Sequence, residues 1–304
     1  GVTQALPHTL RPISFPRQSA EAGRRLRVLC LNYEYPPMGG GAGNATRHTA
    51  LELSRRGHEV DVLTARLPEQ SDVEIQGNLT VYRVHTKRRS IHQAGLLGAV
   101  TYLLSALPKL RQLARANDYD IFHFYFGLPT GLLALYVHWV LKKPYVIALR
   151  GSDVPGYDNT QRYLRPLHWM LHPLSRLIWS RAAGVTAISD HLKALARGTM
   201  SDVDISVIRN AVDTEMFPRR RGKRRPGPLR LVCVCRLVRR KGLEHLVHAV
   251  GDLRDTGAEL EIVGSGQQYE HLASLIDGLG LADRVKLTGY VPRERLADHY
   301  NAAD

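Results

Sequence analysis

The side chains best suited to chemistry are two cations, Arg236 and Lys241, which follow an apolar run and precede a helical pattern. Cations at the end of a strand and beside the N-terminus of a helix can hold a diphosphate without a metal. These residues therefore predict a site that binds a diphosphate. A solvated basic loop is the alternative that the residues by themselves leave open.

A second group follows another strand-like run and consists of Arg150, Ser152 and Asp153. A guanidinium, a hydroxyl and a carboxylate at one strand end suit sugar hydroxyls or a phosphate, so we interpret them as a pocket for an acceptor or a donor sugar. The alternative is an ion pair between Arg150 and Asp153 that closes a loop. His123 is a further candidate for this pocket, although it lies inside a predicted strand, where histidine is more often structural.

Glycine-rich turns are the third signal. Gly40 and Gly41 separate the first strand from a helix, and Gly264 and Gly266 follow a later strand. Glycine lets backbone approach a ligand closely, and the N-terminus of a helix favours phosphate. All four are therefore candidates for phosphate or donor binding. A dinucleotide-binding fingerprint is not completed, because Asn44 stands where its last glycine is required.

Neither a metal nor a cofactor is predicted. Two Asp-x-Asp pairs, at 118–120 and 202–204, each precede a strand and so lie at the end of the sheet where ligands do not bind. The three cysteines lie in apolar runs, which is typical of reduced, buried thiols in a cytosolic protein.

The elements that must position these groups alternate along the chain. Strands are predicted at 26–32, 59–64, 79–86, 121–126, 145–149, 184–189, 205–209, 229–237, 259–263 and 284–288. Helices are predicted at 44–56, 92–116 with a break near Pro108, 130–141, 161–183, 190–197, 242–253, 268–279 and 293–300. Apolar strands alternating with helices predict the α/β class, with doubly wound parallel sheets covered on both faces.

A basic run at 219–225 interrupts this alternation. The predicted organisation is a loose leader over 1–23, a Rossmann-like domain over 24–212, a basic linker over 213–228 and a partial second Rossmann-like domain over 229–304.

The excess of basic residues indicates what kind of partner the protein binds. Lys and Arg number 42 against 28 acidic residues, a net charge of +14, which predicts an anionic partner such as a phosphorylated substrate, a membrane surface or nucleic acid. Nucleic acid is disfavoured, because no aromatic residues interleave with the basic linker as base stacking requires. The longest uncharged apolar stretch, at 94–107, is too short to cross a bilayer. We expect a cytoplasmic protein.

Taken in order, nine segments resemble the retaining glycosyltransferases of family four, which have the GT-B fold. These segments are 35–41, 56–60, 120–123, 150–153, 187–189, 207–217, 236–242, 262–266 and 285–289. The resemblance implies that the first domain binds an acceptor and the second a nucleotide-sugar, in a cleft between them.

The resemblance also implies roles for single residues. Arg236 and Lys241 match the family's cations on the donor diphosphate, and Gly40 and Gly41 match a loop that approaches the same group. The turn at Tyr290 is similar to one that contacts the base through its backbone. Enzymes of this kind need no metal, because fixed cations meet the charge that develops on the leaving phosphate.

Two departures from the family pattern affect these expectations. Most relatives carry histidine where this chain has Arg150, so contacts to sugar or acceptor differ there. The family's pair of glutamates, which contact the sugar and the ribose, is expected after Asp304. We therefore expect this chain to hold part of the donor site and to transfer little sugar by itself.

A membrane surface is a further expected partner. Lys87, Arg88 and Arg89 precede the helix predicted from residue 92, whose apolar residues suit docking on anionic lipid. The alternative is that this helix only covers the sheet.

Two other function classes stay open: an epimerase or phosphorylase on the same fold, and a non-catalytic protein that binds nucleotide-sugar. An epimerase needs acid and base carboxylates in its cleft, and the sequence offers no such set.

Overall fold

The computed structural model describes residues 24–38, 40–87, 95–158, 164–218 and 227–304. The chain forms two compact units that divide between Asn210 and Ala211. Arg88, Arg89 and the predicted leader lie outside the described residues.

The first unit is built on one eight-stranded sheet. Its strands are β1 (Arg27–Leu31), β2 (Glu59–Arg66), β3 (Val73–Gln76), β4 (Leu79–His85), β5 (Ile121–Tyr125), β6 (Tyr145–Leu149), β7 (Gly184–Ala187) and β8 (Ile205–Val207). They lie in the order β3-β4-β2-β1-β5-β6-β7-β8, and every neighbouring pair is parallel except β3 with β4. The chain changes direction across the sheet at β1, as in a doubly wound fold.

Helices cover both faces of this sheet. They are α1 (Gly41–Arg55), α2 (Gly95–Ala116), α3 (Leu132–Tyr136) with a π-helical turn over Val137–Leu141, α4 (Leu164–Ser180) and α5 (Asp190–Arg197). Leu29, Phe124 and Ile147 point to a core that they share with α2, α3, α4 and α5. Cys30 and Ala148 point to the other face, against α1. Apolar residues on both faces of the central strands explain their near-continuous hydrophobic runs.

Pro108 does not break α2, contrary to the prediction. Proline removes one helical hydrogen bond and frees the carbonyl of the residue four positions earlier. Pro108 and Leu104 both lie on the exposed side of α2, where water can satisfy that carbonyl. The helix therefore continues to Ala116.

The Asp-x-Asp pair at 118–120 has structural partners. Asp118 forms an ion pair with Lys143 at 2.6 Å, and the carboxylate of Asp120 accepts a hydrogen bond from the backbone N–H of Arg27 at 2.8 Å. Both contacts lie where β5 begins, at the amino edge of the sheet.

The second unit contains a parallel sheet of three strands in the order β11-β10-β9. These strands are β9 (Arg230–Val234), β10 (Glu259–Val263) and β11 (Val285–Gly289), and the helices are α6 (Leu243–Asp252), α7 (Tyr269–Gly278) and α8 (Leu296–Ala302). Leu260, Ile262, Val247 and Leu272 form the centre of its core. All three cysteines are free; Cys30 is buried as predicted, whereas Cys233 and Cys235 are only half-buried.

Candidate functional site

In the second unit, three loops at the carboxyl ends of β9, β10 and β11 are joined by backbone hydrogen bonds. The N–H of Leu237 donates to the carbonyl of Ser265 at 3.0 Å, and the N–H of Gln268 donates back to the carbonyl of Leu237 at 3.0 Å. The N–H of Gly264 donates to the carbonyl of Gly289 at 2.8 Å. We call these joined loops, residues 235–242, 264–268 and 289–290, the strand-end cradle.

Gly264 and Gly266 are required by packing within the cradle. A Cβ on Gly264 would lie 1.9 Å from the carbonyl oxygen of Cys235, and one on Gly266 would lie 2.3 Å from that of Leu237. Real side chains never approach a backbone oxygen so closely, so only glycine lets the two loops meet. This packing role by itself explains why both positions are glycine. Their contact with a donor stays a prediction.

The two predicted cations lie in the first loop of the cradle. Arg236 is half-buried after β9, and Lys241 is exposed at the end of a short 3-10 turn over Arg239–Lys241. Gly242, with φ of 62°, then begins α6. The two cations therefore lie at the same loop as a helix N-terminus, where an anion is favoured.

Two thiols, those of Cys233 and Cys235, lie close to these cations. Cys233 and Cys235 place their sulfurs 3.9 Å apart. The hydrogen bond from Cys235 lowers the pKa of Cys233 to about 7; burial opposes that shift, and the positive charge of Lys241 assists it. The hydrogen bond between the two thiols is thus the main cause of the shift, and Lys241 adds a smaller contribution.

Tyr290 follows β11 and is largely exposed. Gly289 immediately before it has a φ of 80°, a left-handed conformation that glycine adopts without strain. The side chain of Tyr290 is therefore presented at the edge of the cradle. Its predicted contact with a base stays a prediction.

In the first unit, Asp153 organises the loop after β6. Its carboxylate accepts hydrogen bonds from the backbone N–H groups of Gly127 at 2.7 Å, Arg150 at 3.0 Å and Gly151 at 2.9 Å. Burial raises the pKa of Asp153, and these backbone hydrogen bonds oppose the rise. Asp153 therefore does close a loop, but through backbone N–H groups and not through the predicted alternative of an ion pair with the Arg150 guanidinium.

The guanidinium of Arg150 has other neighbours. Its Nη1 donates to Oδ1 of Asn210 at 2.8 Å, and the group lies 4.8 Å from the centre of the Tyr125 ring. Its Nε is buried and has no hydrogen-bond partner among the described residues. Burial lowers the pKa of Arg150, and the charge of Asp153 offsets part of that shift. Arg150 thus keeps an unused donor at the carboxyl edge of the sheet.

His123 lies on β5, where its ring stacks on that of Tyr125 with centroids 4.4 Å apart. Burial and then the charge of Arg150 lower the pKa of His123 to about 3. The imidazole is therefore neutral at ordinary pH and cannot donate a proton as an acid would. Ser152 is half-buried, and its carbonyl lies 3.1 Å from Nε2 of His168.

Gly41 is the first residue of α1 and Gly40 precedes it, so the helix begins three residues before the predicted start at Asn44. The carbonyl of Gly40 accepts from the N–H of Asn44 at 3.1 Å, and a Cβ on Gly41 would meet nothing within 4 Å. Asn32 fixes this turn, because its Nδ2 donates to Oγ1 of Thr46 at 2.7 Å. Backbone N–H groups at the start of α1 are thus held in an open position.

Three side chains that support the site were not predicted: Asn32, Tyr125 and Asn210. Asn32 and Tyr125 lie at the carboxyl ends of β1 and β5, so a search of every strand end would have included them. Asn210 follows β8 by three residues, and only the folded sheet brings it to Arg150. Sequence spacing gives no sign of that contact.

The family model described as Glycosyltransferase Family 4 matches residues 39–216, and the one described as Glycosyl transferases group 1 matches residues 217–304. The chain belongs to glycosyltransferase family 4. The family resemblance inferred from the nine segments is thereby confirmed.

Curated relatives of this family 4 chain include an uncharacterized glycosyltransferase of Methanocaldococcus jannaschii. It is 24% identical over 92% of this chain and 73% of its own length. A GDP-mannose-dependent alpha-(1-6)-phosphatidylinositol monomannoside mannosyltransferase of Mycolicibacterium smegmatis is 26% identical over 91% of this chain and 71% of its own length. Across several such relatives, the matched part spans between 63% and 73% of the relative.

Solved structures confirm the predicted GT-B fold class. Sucrose-phosphate synthase from Thermosynechococcus elongatus has a TM-score of 0.76 at 20% identity, over 92% of this chain and 74% of that one. Anabaena HepE in complex with UDP-glucose has a TM-score of 0.61 at 17% identity, over 90% and 71%. Within the described residues, no helix of this family 4 chain is long and apolar enough to cross a membrane.

Proposed function

We propose that the protein transfers a sugar from a nucleotide-sugar donor to a glycan or lipid-linked acceptor, with retention of configuration. Membership of family 4 supports glycosyl transfer. Two relatives support the donor class, since one is described as GDP-mannose-dependent and another was solved with UDP-glucose.

The observation that carries this proposal is the strand-end cradle with its two cations. A nucleoside diphosphate gains negative charge as its bond to the sugar breaks. Arg236 and Lys241 can meet that charge from a loop whose backbone is held by hydrogen bonds to the neighbouring loop. A positioned donor of this kind stabilises charge in a transition state without reorganising. We assign the leaving-diphosphate role to these two residues, and the proposal needs no metal.

The test compares Arg236→Ala and Lys241→Ala with Arg239→Ala, an exposed cation in the same turn. Binding of nucleoside diphosphates and nucleotide-sugars is measured by calorimetry, and donor turnover is measured in the full-length enzyme by release of nucleoside diphosphate. Each of the first two variants should weaken binding by about 1.5–3 kcal/mol, and should lower turnover on the order of 100- to 1000-fold. Arg239→Ala should leave both unchanged. If all three variants behave alike, the segment is only a basic loop.

For the acceptor side, we propose docking on an anionic membrane surface through the first half of α2. Its residues Leu96, Leu97, Val100 and Leu104 are exposed, and we call them the α2 patch. The opposite side of α2 is buried against the sheet. The helix therefore covers the sheet and also presents an apolar stripe outward.

Lys87, the first residue of the basic segment, contacts α2. The N–H of Lys87 donates to Oγ1 of Thr101 at 3.0 Å. Positive charge beside an exposed apolar stripe is the arrangement of helices that lie in a bilayer interface. Such docking places the protein peripherally on the cytoplasmic face of a membrane. Co-sedimentation with vesicles should then require anionic lipid and weaken with salt; binding indifferent to both would contradict it.

A further inference from the structure

The N-terminal half of α4 carries two exposed apolar side chains that no part of the proposed reaction uses. Trp169 is 83% exposed and Met170 is 63% exposed. Exposing a tryptophan to water is unusual in a folded domain, because its large apolar surface is normally at least partly covered. We call Trp169 and Met170 the α4 patch.

The α4 patch and the α2 patch lie toward the same edge of the first unit. Both helices connect parallel strands of one sheet, so each begins at the carboxyl edge and ends at the amino edge. Both pack on the same sheet face, and α3 lies between them in contact with each. Each patch occupies the first half of its helix, near the edge that holds Arg150.

Neither α2 nor α4 carries an acidic residue. Acidic residues number 28 in the whole chain, yet none lies in residues 75–117, which include α2, or in residues 159–189, which include α4. Basic residues are present in both stretches, and Arg176 on α4 is exposed. A surface with exposed apolar side chains, cations and no carboxylates is complementary to anionic lipid head groups.

We propose that the α4 patch is a second membrane anchor, which inserts with the α2 patch into one anionic phospholipid surface. This inference rests on the docking proposed for α2. Tryptophan suits the role because its ring settles at the level of the lipid head groups, with its N–H hydrated and its body in apolar surroundings. Two anchors on separate helices of one layer fix the orientation of the first unit, which a single amphipathic helix cannot do. The sheet face covered by these helices then lies toward the lipid, and its carboxyl edge, with Arg150, is nearer to the lipid than its amino edge.

The chain supplies a matched control. Trp139 and Val140 are 54% and 61% exposed, on the turn that continues α3. That turn lies at the end of the crossover from β5 to β6, and therefore at the amino edge of the sheet. If any exposed tryptophan adhered to vesicles, this pair would act like the α4 patch.

The experiment measures binding of the full chain to vesicles of phosphatidylcholine, with and without phosphatidylglycerol. The double variant Trp169→Ser/Met170→Ser should lower the partition coefficient on anionic vesicles at least about tenfold. The double variant Trp139→Ser/Val140→Ser should bind as the unchanged protein does. In a Trp139→Phe background, Trp169 emission should shift to the blue and be quenched by brominated lipid, because Trp179 is already buried.

The possible failures are distinguishable. If the α4 variant binds normally while Leu97→Gln/Leu104→Gln abolishes binding, the second anchor is refuted and docking through α2 stands. If neither the unchanged protein nor any variant binds better to vesicles that contain phosphatidylglycerol, docking on anionic lipid is refuted. The proposal of glycosyl transfer then still stands, because it rests on other residues. If Trp169 stays accessible to water on vesicles but becomes buried as protein concentration rises, the face joins two copies of the chain and the membrane assignment is wrong.

Discussion

The unusual protonation state of His123 makes the stability of the first unit depend on pH in a predictable way. The ordinary pKa of histidine is 6.5, and burial together with the charge of Arg150 lowers that of His123 to about 3. The fold therefore favours the neutral imidazole. Stability is complete above about pH 6.5 and is lost as pH falls toward 3, because the unfolded chain takes up a proton that the folded chain does not.

The size of the effect follows from the two pKa values. Between about pH 7.5 and about pH 5, this histidine should reduce the free energy of unfolding by at most about 2 kcal/mol. The value is an upper one, since the residue is only half-buried and some water reaches it. For a domain of this length, that loss lowers the melting temperature by about 4–8 °C.

Tryptophan fluorescence isolates the relevant unit, because Trp139, Trp169 and Trp179 all lie in it. Thermal melts of the unchanged protein, His123→Gln and His191→Gln are compared at the two pH values. His191 is exposed on α5 and serves as the control. His123→Gln should remove that part of the pH dependence, whatever it does at neutral pH. A variant with the full pH dependence of the unchanged protein would refute the assignment.

Four further substitutions test the two units. Gly264→Ala should unfold or strongly destabilise the second unit, because its Cβ collides with a backbone oxygen, and amide hydrogen exchange should become faster there. The matched control Gly278→Ala places its Cβ where nothing lies within 4 Å, and should leave the second unit folded with unchanged exchange. Arg150→His should alter donor or acceptor preference with little change in melting, and NMR should show a higher pKa for His123 because a nearby cation is gone; an unfolded variant of unchanged specificity would contradict this. Asp153→Asn loses one charged acceptor shared by three N–H groups and should cost about 1–3 kcal/mol in fluorescence-detected melts, whereas an unchanged melt would show that those hydrogen bonds contribute little.

Several elements with buried apolar residues were predicted closely. The bounds of β6, β10 and α5 agree with the prediction to the residue. Strand β3 was missed because it has four residues, mostly exposed, and pairs with one neighbour only. Such a strand has no buried face, so its sequence lacks the apolar run by which the others were recognised.

For the candidate site, the topology was predictable and the contacts were not. Parallel strands bring their carboxyl ends to one edge, so Arg150 and Asp153 could be placed there from the chain alone. The partners of Asp153 come from two different loops, and Arg150 meets Asn210 from a third. Contacts between loops depend on how the turns pack, and no periodicity in the sequence encodes them.

As the proposed donor site, the strand-end cradle also bears on how donor preference can change during evolution. Its shape is held by main-chain hydrogen bonds and by two glycines that permit close contact. The side chains of Ser265 and Tyr290 take no part in those main-chain bonds. Substitutions at such positions can therefore change the side chains that contact a ligand, while the loops keep their shape. An enzyme built this way can acquire a new donor by point mutation without first acquiring a new fold.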